Sequence, residues 1–493
     1  MQKIKTISFG DSRTGRSRIV PISFSVEESG LYEVVSNMTS IEIKEAIGYY
    51  DYNLLADKAA REYRNISQMV KLLLDKYLKE SKGYVSSSEV TFRASKEIPF
   101  QRWYPYIQGY SPNFVKTLIS KYIDNNGIIY EPFAGTGTTI FAADTMGYDT
   151  CYSEVNPLLR LLIDTKIKIL KLPIDIRKHL AEDTFTFGQD LLRFSQPEDK
   201  MLDKDYKSVF NESKYFPEEN YKKILRSKTF VNNIESPLQQ AILTIAVLSS
   251  LIPSSLLKKQ GDLRFKTKAE LAKGVDDFND VFANNMNVIV EDLANVNYSM
   301  SNVHKCVVNN AKYIGNCNLG KFGSVISSPP YLNGTNYVRN TKLELWFIGL
   351  LKSKADLRFL RDEMLTSGIN DVKAEYAKRH VLKGISALYD STISELQNHS
   401  YDKRIPLMAQ CYFSEMHDVF LSMRNKLQKD ALVLLDIGDS MFNNVHIRTD
   451  DILAEIFESL GYVYLGKDKL RERRSRNGKV LSQTLIKFRY GRV

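Results

Sequence analysis

The sequence predicts an α/β fold: a mostly parallel sheet covered by helices, with helical insertions and a helical region before the sheet. Two observations predict this fold. A strand, a glycine turn and a helix follow one another at residues 127–147, and a second apolar strand at residues 322–327 ends in two prolines. At 493 residues the chain also exceeds one compact core, so we expect two or three domains.

The N-terminal region, residues 1–95, is predicted to be mainly helical. Its helical stretch runs from about residue 41 to residue 82, and a capping-box pattern at Thr39-Ser40-Ile41-Glu42 opens it. The region shows no recognisable chemistry.

The glycine turn lies in Tyr130-Glu131-Pro132-Phe133-Ala134-Gly135-Thr136-Gly137-Thr138-Thr139. An apolar strand at residues 127–129 precedes it, and a helix at residues 140–146 follows and ends at Gly147. Gly135 and Gly137 would let the backbone approach a ligand closely. The unit resembles the first half of a Rossmann-like fold, and a purely structural tight turn is the alternative.

The next strand, around residues 148–153, ends in Glu154, about 20 residues beyond the glycines. An acidic residue at this distance typically accepts hydrogen bonds from ribose hydroxyls. The glycine spacing is not G-x-G-x-x-G, which makes a dinucleotide the weaker candidate ligand, and it is not a nucleoside-triphosphate loop.

Residues 161–300 are predicted to form a largely helical insertion. Its most apolar run, residues 238–252, is shorter than the ~20 residues that cross a bilayer, so we expect a buried helix that starts at Ser236-Pro237. A basic loop around a glycine follows. Its candidate contacts to phosphates or base edges are Lys258, Lys259 and Arg264, with a solvated loop as the alternative.

The tetrapeptide Ser328-Pro329-Pro330-Tyr331 follows the apolar strand at residues 322–327. Two prolines end the strand, at the sheet edge where ligands bind in open α/β sheets. The tetrapeptide offers a hydroxyl, a carbonyl and an aromatic face, which an enzyme that methylates an exocyclic amine needs. For the tetrapeptide alone, an ordinary strand-to-loop turn is the alternative.

A second insertion, residues 352–403, precedes the last sheet elements. A dense basic stretch then lies between the apolar residues 462–464 and the closing strand, and it is predicted to form an extended hairpin at the sheet edge. Its candidate contacts to a phosphate backbone are Arg471, Arg473, Arg474 and Arg476, and a solvated hairpin is the alternative.

The glycine motif followed by Ser-Pro-Pro-Tyr resembles the S-adenosylmethionine-dependent DNA amino-methyltransferases, which modify N4 of cytosine or N6 of adenine. Residues 99–112 are similar to the aromatic segment that closes over the methionine end of the cofactor in that family. Residues 433–440 and 484–489 resemble its later core strands. The resemblance covers roughly residues 97–160, 300–350 and 405–490.

The resemblance implies a catalytic core of residues 96–160, 301–351 and 404–493, with residues 161–300 as the candidate target-recognition region. It implies S-adenosylmethionine as cofactor, held by Tyr106, Glu131, Pro132, Phe133, Ala134, Gly135, Thr136, Gly137, Thr138, Glu154 and Asn310. Two positions depart from the family pattern. Glu131 stands where aspartate is more usual, and Asn310 stands where many relatives have an aspartate against the adenine; a simple turn asparagine is the alternative there.

The candidate catalytic residues are Ser328, Pro329, Pro330 and Tyr331. An exocyclic amine is a poor nucleophile because its lone pair is delocalised into the ring. Hydrogen bonds from its protons to the Ser328 hydroxyl and the Pro329 carbonyl would localise that lone pair. Tyr331 would stack on a base that has left the duplex, and no covalent intermediate is required.

Serine before Pro-Pro-Tyr is commoner among the cytosine-N4 enzymes of this family, so we favour cytosine N4. An adenine-N6 enzyme uses the same machinery and is the nearest alternative. An RNA or protein amino-methyltransferase and a non-catalytic DNA-binding subunit are the others.

The cysteines argue against two other chemistries. None of the four follows a proline, as the nucleophile for carbon-5 methylation usually does, and no two have C-x-x-C spacing. The six histidines are scattered, so no metal site is expected.

A net charge of +10 suits a polyanionic partner, and double-stranded DNA is the partner expected. By analogy with the family, a cognate restriction or defence protein is a second expected partner. The first 18 residues lack a sustained apolar core, so we expect a cytoplasmic protein without a membrane partner.

Overall fold

The computed structural model describes residues 4–10, 17–23, 91, 95 and 97–491, apart from 107–108, 125–126, 212, 333–335, 378, 380–381, 443 and 475–477. The chain divides into two compact units, Met1–Ser86 and Ser87–Val493. In the first unit, strands β1 (Ile4–Gly10) and β2 (Ser17–Ser23) pair antiparallel. The helix predicted at residues 41–82 lies outside the described residues.

The second unit contains the remaining elements. Its strands are β3 (Ile129–Glu131), β4 (Thr150–Tyr152), β5 (Leu257–Gln260), β6 (Asp262–Phe265), β7 (His304–Cys306), β8 (Phe322–Ser327), β9 (Leu427–Gly438), β10 (Ser440–Phe442), β11 (Val445–Ile447), β12 (Tyr462–Arg474) and β13 (Val480–Tyr490). Its helices are α1 (Pro112–Tyr122), α2 (Thr138–Asp144), α3 (Pro157–Leu170), α4 (Ile174–Arg193), α5 (Lys200–Phe210), α6 (Glu218–Asn232), α7 (Pro237–Leu251), α8 (Lys268–Leu271), α9 (Phe278–Asn295), α10 (Tyr337–Asn340), α11 (Lys342–Phe347), α12 (Lys354–Glu363), α13 (Ala374–Ala377), α14 (Ala387–His399), α15 (Arg404–Met423) and α16 (Thr449–Ser459).

A seven-stranded sheet in the order β12-β13-β9-β8-β3-β4-β7 forms the centre of this unit. Strands β7, β4, β3, β8 and β9 are parallel, whereas β13 pairs antiparallel with both β9 and β12. The chain runs outward from β3 through β4 to β7 and then returns to β8 on the other side of β3. The topological switch point therefore lies between β3 and β8, where open α/β sheets bind ligands.

This topology confirms the predicted α/β, Rossmann-like fold. Strand β8 is buried at all six positions, as expected of a parallel strand covered on both faces. Neighbouring residues of β4 point to opposite sides: Cys151 packs in one hydrophobic cluster and Tyr152 in another. The sheet therefore lies between two apolar layers, one of which includes helices of the long insertion.

Helix α7 in that insertion has the predicted start. The Ser236 side chain accepts a hydrogen bond from the Gln239 N–H, Pro237 occupies the first helical position, and the helix ends at Leu251, ahead of Pro253. It is buried along most of its length. Among the described helices, none is both long and apolar enough to cross a membrane.

Candidate active site

A cleft opens at the carboxyl ends of β3, β4 and β8, at the switch point of the sheet. It contains about 1740 Å³ of space between protein atoms, including its open mouth. The glycine turn, the aromatic segment before α1, the Ser-Pro-Pro-Tyr tetrapeptide and residues of hairpin β12–β13 line it. The two motifs that the sequence singled out are thus walls of one cavity.

The glycine turn has a backbone that only glycine adopts without strain. Gly135 has φ of +56° and Gly137 has φ of +89°. A Cβ atom on Gly137 would also lie 2.8 Å from Phe141 and 3.0 Å from Ile163. On Gly135 it would lie 3.5 Å from the ring of Tyr106, so that ring covers the turn from the cleft side.

Glu131, at the end of β3, accepts hydrogen bonds from several segments that meet at the switch point. One of its carboxylate oxygens accepts hydrogen bonds from the Tyr110 hydroxyl at 2.6 Å and the Thr139 hydroxyl at 2.7 Å. The other accepts from the Phe133 N–H at 3.0 Å and from the Ser327 hydroxyl at the end of β8. Burial raises the pKa of this carboxyl, and the four hydrogen bonds oppose the rise. The predicted direct contact between Glu131 and a cofactor stays a prediction, since protein groups engage both oxygens here.

Glu154 connects the end of β4 to the glycine turn. Its carboxylate oxygens accept hydrogen bonds from the Gly135 N–H at 2.7 Å and the Asn156 N–H at 2.8 Å. Burial raises the pKa of this carboxyl to about 7. It lines the cleft beside the turn, where the sequence places a ribose acceptor.

Asn310 also lines the cleft, but its side chain is bonded within the protein. Its carbonyl oxygen accepts the Lys312 N–H at 3.1 Å, and its amide donates to the backbone and side chain of Glu363 at 2.9 and 3.0 Å. This arrangement matches the turn-asparagine alternative. The predicted adenine contact stays a prediction.

The hydroxyl of Tyr331 is the centre of a polar network beyond β8. It accepts hydrogen bonds from the Ser328 hydroxyl at 3.3 Å and from the Gln483 amide at 3.0 Å, and it donates one to Asp436. The ring of Tyr331 lies 3.2 Å from the position that a Cβ on Gly438 would take, so a larger residue there would push it away. The tetrapeptide thus has a fixed phenol as well as an aromatic face.

Asp436 anchors this network from inside the sheet. It is 2% exposed at the end of β9, and its two oxygens accept from the Gln483 amide at 2.7 and 2.8 Å. The carbonyl of Gln483 accepts in turn from Arg471 at 2.6 Å. Burial raises the pKa of Asp436 to about 7.

The sequence reasoning did not assign Asp436, Gln483, Tyr110 or Thr139 to the site. An acid inside the apolar run of β9 was the signal that could have identified Asp436.

The basic loop of the long insertion is a hairpin, β5–β6, whose cations have acidic partners. Lys258 and Arg264 both pair with Glu270, at 2.7 and 2.8 Å. Lys259 turns into the cleft wall and pairs with Glu344 at 3.0 Å while it donates to the Tyr104 hydroxyl at 3.1 Å. At the hairpin tip, the Gly261 carbonyl accepts from the Asn340 amide at 2.9 Å, so the insertion contacts the segment that follows the tetrapeptide.

The basic stretch near the C-terminus forms the predicted hairpin, and β12 is an edge strand of the sheet. Arg471 and Arg473 line the cleft, and Arg473 donates to the Asp439 carbonyl at 2.7 Å. Arg474 is exposed, and Arg476 lies outside the described residues. The described residues also contain no cluster of three or more histidines, cysteines or acids that could hold a metal ion.

Comparison with known proteins relates the chain to type II methyltransferases over most of its length. It is 24% identical over 462 residues to type II methyltransferase M.AvaI of Nostoc sp. (strain PCC 7120), a match that covers 86% of this chain and 92% of the relative. It is 22% identical over 470 residues to type II methyltransferase M.BsoBI of Geobacillus stearothermophilus, covering 82% of this chain and 85% of the relative. No protein-family model and no solved structure matches the chain.

Proposed function

We propose that this chain, which belongs with its relatives to the DNA methyltransferases, transfers a methyl group from S-adenosylmethionine to the N4 amine of a flipped cytosine. One observation carries the proposal: the glycine turn with Glu154 and the Ser-Pro-Pro-Tyr tetrapeptide are neighbouring walls of one cleft. The Ser327 hydroxyl donates a hydrogen bond to Glu131, and this bond connects the strand before the tetrapeptide to the strand before the glycine turn.

The residues of the cleft suit an S-adenosyl ligand. Such a ligand needs an acceptor for its ribose hydroxyls, a backbone without side chains beside it and an apolar cover. Glu154, Gly135 and Tyr106 offer these three features within one part of the cleft. When bound, S-adenosylmethionine supplies an electrophilic methyl group on a sulfonium.

The tetrapeptide suits the amine that receives the methyl group. Ser328 and Pro329 follow the end of β8 and line the cleft, and the Ser328 hydroxyl and the Pro329 carbonyl are the proposed acceptors of hydrogen bonds from an amine. These bonds would hold the nitrogen in line and localise its lone pair. Because the amine is out of reach inside a duplex, the base has to flip into the cleft, where the Tyr331 ring would stack on it.

The identity of the base rests on Ser328. A serine hydroxyl can accept from either amine, so the choice of cytosine N4 over adenine N6 comes from the residue that the resembled family prefers. The expected partner is double-stranded DNA, read at a specific site, and a cognate restriction or defence protein is part of the proposal by analogy.

Nucleoside analysis of genomic DNA tests the proposal. DNA from cells that express the wild type or the Ser328→Ala variant is digested and examined by mass spectrometry. N4-methylcytosine in the wild-type sample alone would support the reaction and the base. N6-methyladenine in the wild-type sample would keep the mechanism and change the target base to adenine. The absence of both methylated nucleosides would contradict a DNA substrate, and RNA and protein amines would then be tested.

A further inference from the structure

We infer that Asp436 is the group that takes up the proton which the target amine loses on methylation, and that this proton travels through the hydroxyls of Ser328 and Tyr331. This inference rests on the proposed function, since it needs an amine at Ser328. It assigns the Tyr331 hydroxyl a part in the reaction besides the stacking of its ring.

Two hydrogen bonds of the network lead from the tetrapeptide toward Asp436, while the Gln483 amide donates to both Tyr331 and Asp436. The Ser328 hydroxyl donates to the Tyr331 hydroxyl at 3.3 Å, and the Tyr331 hydroxyl donates to the Asp436 carboxylate. The Ser328 hydroxyl oxygen can still accept from an amine in the cleft. A proton that arrives at Ser328 can therefore pass along existing hydrogen bonds to a carboxylate that is 2% exposed.

Other carboxylates at the cleft are engaged elsewhere. Glu131 accepts four hydrogen bonds from protein groups, and Glu154 is bound to the N–H groups of Gly135 and Asn156 on the cofactor side. Asp436 is the carboxylate that the described hydrogen bonds connect to the tetrapeptide. Its own position is fixed by Gln483, which Arg471 holds.

The charges around Asp436 suit a proton acceptor that works near neutral pH. Tyr331 approaches from the loop after β8, Gln483 from β13, Arg471 from β12 and Tyr110 from the segment before α1. Burial raises the pKa of the carboxyl, the hydrogen bonds from Gln483 and Tyr331 and the charge of Arg471 lower it, and the balance is about 7. An acceptor is most effective when its pKa lies close to the working pH.

The proton balance of the step is complete. The nitrogen lone pair forms the N–CH₃ bond as the S–CH₃ bond breaks, and the electrons of that bond go to sulfur, which leaves a neutral thioether. The electrons of one N–H bond return to nitrogen while its proton moves to Ser328, the Ser328 proton moves to Tyr331 and the Tyr331 proton moves to Asp436. A cationic sulfonium and an anionic carboxylate become a thioether and a carboxylic acid.

Single-turnover methyl transfer tests the inference with two buried aspartates of the same region. In the wild type, the rate at saturating S-adenosylmethionine and duplex should rise with pH up to about 7 and then level, since Asp436 has to be ionised. Asp436→Asn keeps the shape but cannot take the proton, so its rate should fall about 100-fold and lose that rise. Asp439→Asn, whose carboxylate binds His446 and Ser482 and not Tyr331, should keep both the rate and the rise.

Tyr331→Phe provides a second variant, because it removes the hydroxyl and keeps the ring. Its single-turnover rate should fall by the same factor as that of Asp436→Asn. The double variant should be no slower than either single variant. The affinity for S-adenosylhomocysteine serves as a control for folding. It should be unchanged in both variants. A Tyr331→Phe enzyme with the wild-type rate and pH profile would overturn the inference, as would an Asp436→Asn enzyme that matches Asp439→Asn. A wild type that methylates no DNA would instead contradict the proposed function.

Discussion

Two buried carboxyls at the edge of the sheet have a pKa of about 7. One is proposed to bind the cofactor, and the other is proposed to accept the proton of the target amine. Glu154 lies at the glycine turn and Asp436 at the tetrapeptide, and burial is the main cause of both shifts. A carboxyl that titrates near neutrality makes a binding or chemical step depend on pH in the physiological range. Because the two groups act on different ligands, their effects can be measured separately.

Glu154 should make cofactor affinity depend on pH. Ribose hydroxyls donate best to an ionised carboxylate, so binding competes with protonation, and affinity should grow as the pH rises through about 7. Titration calorimetry with S-adenosylhomocysteine should give a dissociation constant about tenfold weaker at pH 6 than at pH 8. Glu154→Gln should remove this dependence, whereas Asp436→Asn should retain it. A wild type with one affinity from pH 6 to pH 8 would contradict the assignment of Glu154.

The residues that the sequence located are those whose role depends on neighbours along the chain. The glycine turn and the tetrapeptide each follow an apolar strand directly, so strand, turn and edge could be placed from local pattern. Asp436 and Gln483 meet only because β9 pairs with β13 in a register that puts Gln483 opposite Gly438. Pairing between distant strands is not encoded in any local pattern, which is why this part of the site was missed.

At the level of elements, a bulge decides what the C-terminal hairpin contacts. The register of β12 against β13 shifts between Lys469, which pairs with Thr484, and Arg471, which pairs with Gln483. Adjacent residues of a strand face opposite sides, so the bulge turns Arg471 and Arg473 to the face of Gln483, the cleft. Without it, every second residue from Lys467 to Arg473 would face the same side. Sequence alternation alone therefore predicted a hairpin but not the direction of its arginines.

Arg474 should contact the DNA backbone without reading sequence. It is exposed beside the two arginines that line the cleft, and a phosphate contact of this kind releases about one counterion. Arg474→Ala should weaken binding to specific and nonspecific duplexes alike and reduce the slope of log affinity against log salt by about 0.9. Lys222→Ala on α6, which removes one charge from a lysine paired with Glu218, should leave the slope unchanged. Equal slopes for Arg474→Ala and wild type would favour the solvated hairpin. Fluorescence anisotropy over a salt series measures all three.

At the scale of the whole molecule, the cleft is built from chain segments that two insertions separate. The glycine turn comes from before the long insertion, the tetrapeptide from after it, and Asp436 and Gln483 from beyond residues 352–403. Strands from all three segments are hydrogen-bonded in one sheet, in which β8 lies between β3 and β9. The insertions thus lengthen the connections, and β5–β6 returns to contact the cleft. Such an arrangement should unfold as one cooperative core.

Ligand-linked hydrogen exchange tests that cooperativity. A ligand that binds only the folded protein, present at 100 times its dissociation constant, raises the free energy of unfolding by about 2.7 kcal/mol, a factor of about 100 in the unfolding equilibrium. S-adenosylhomocysteine is the ligand used here. If the sheet unfolds as a unit, amides in β3, β8 and β13 that exchange by global opening should all slow by about that factor, although the proposed ligand contacts lie near β3 and β4. Gly137→Ala should abolish the protection, because a Cβ there meets Phe141 at 2.8 Å and distorts the turn. Protection limited to residues near the glycine turn would show instead that β8 and β13 open independently of it.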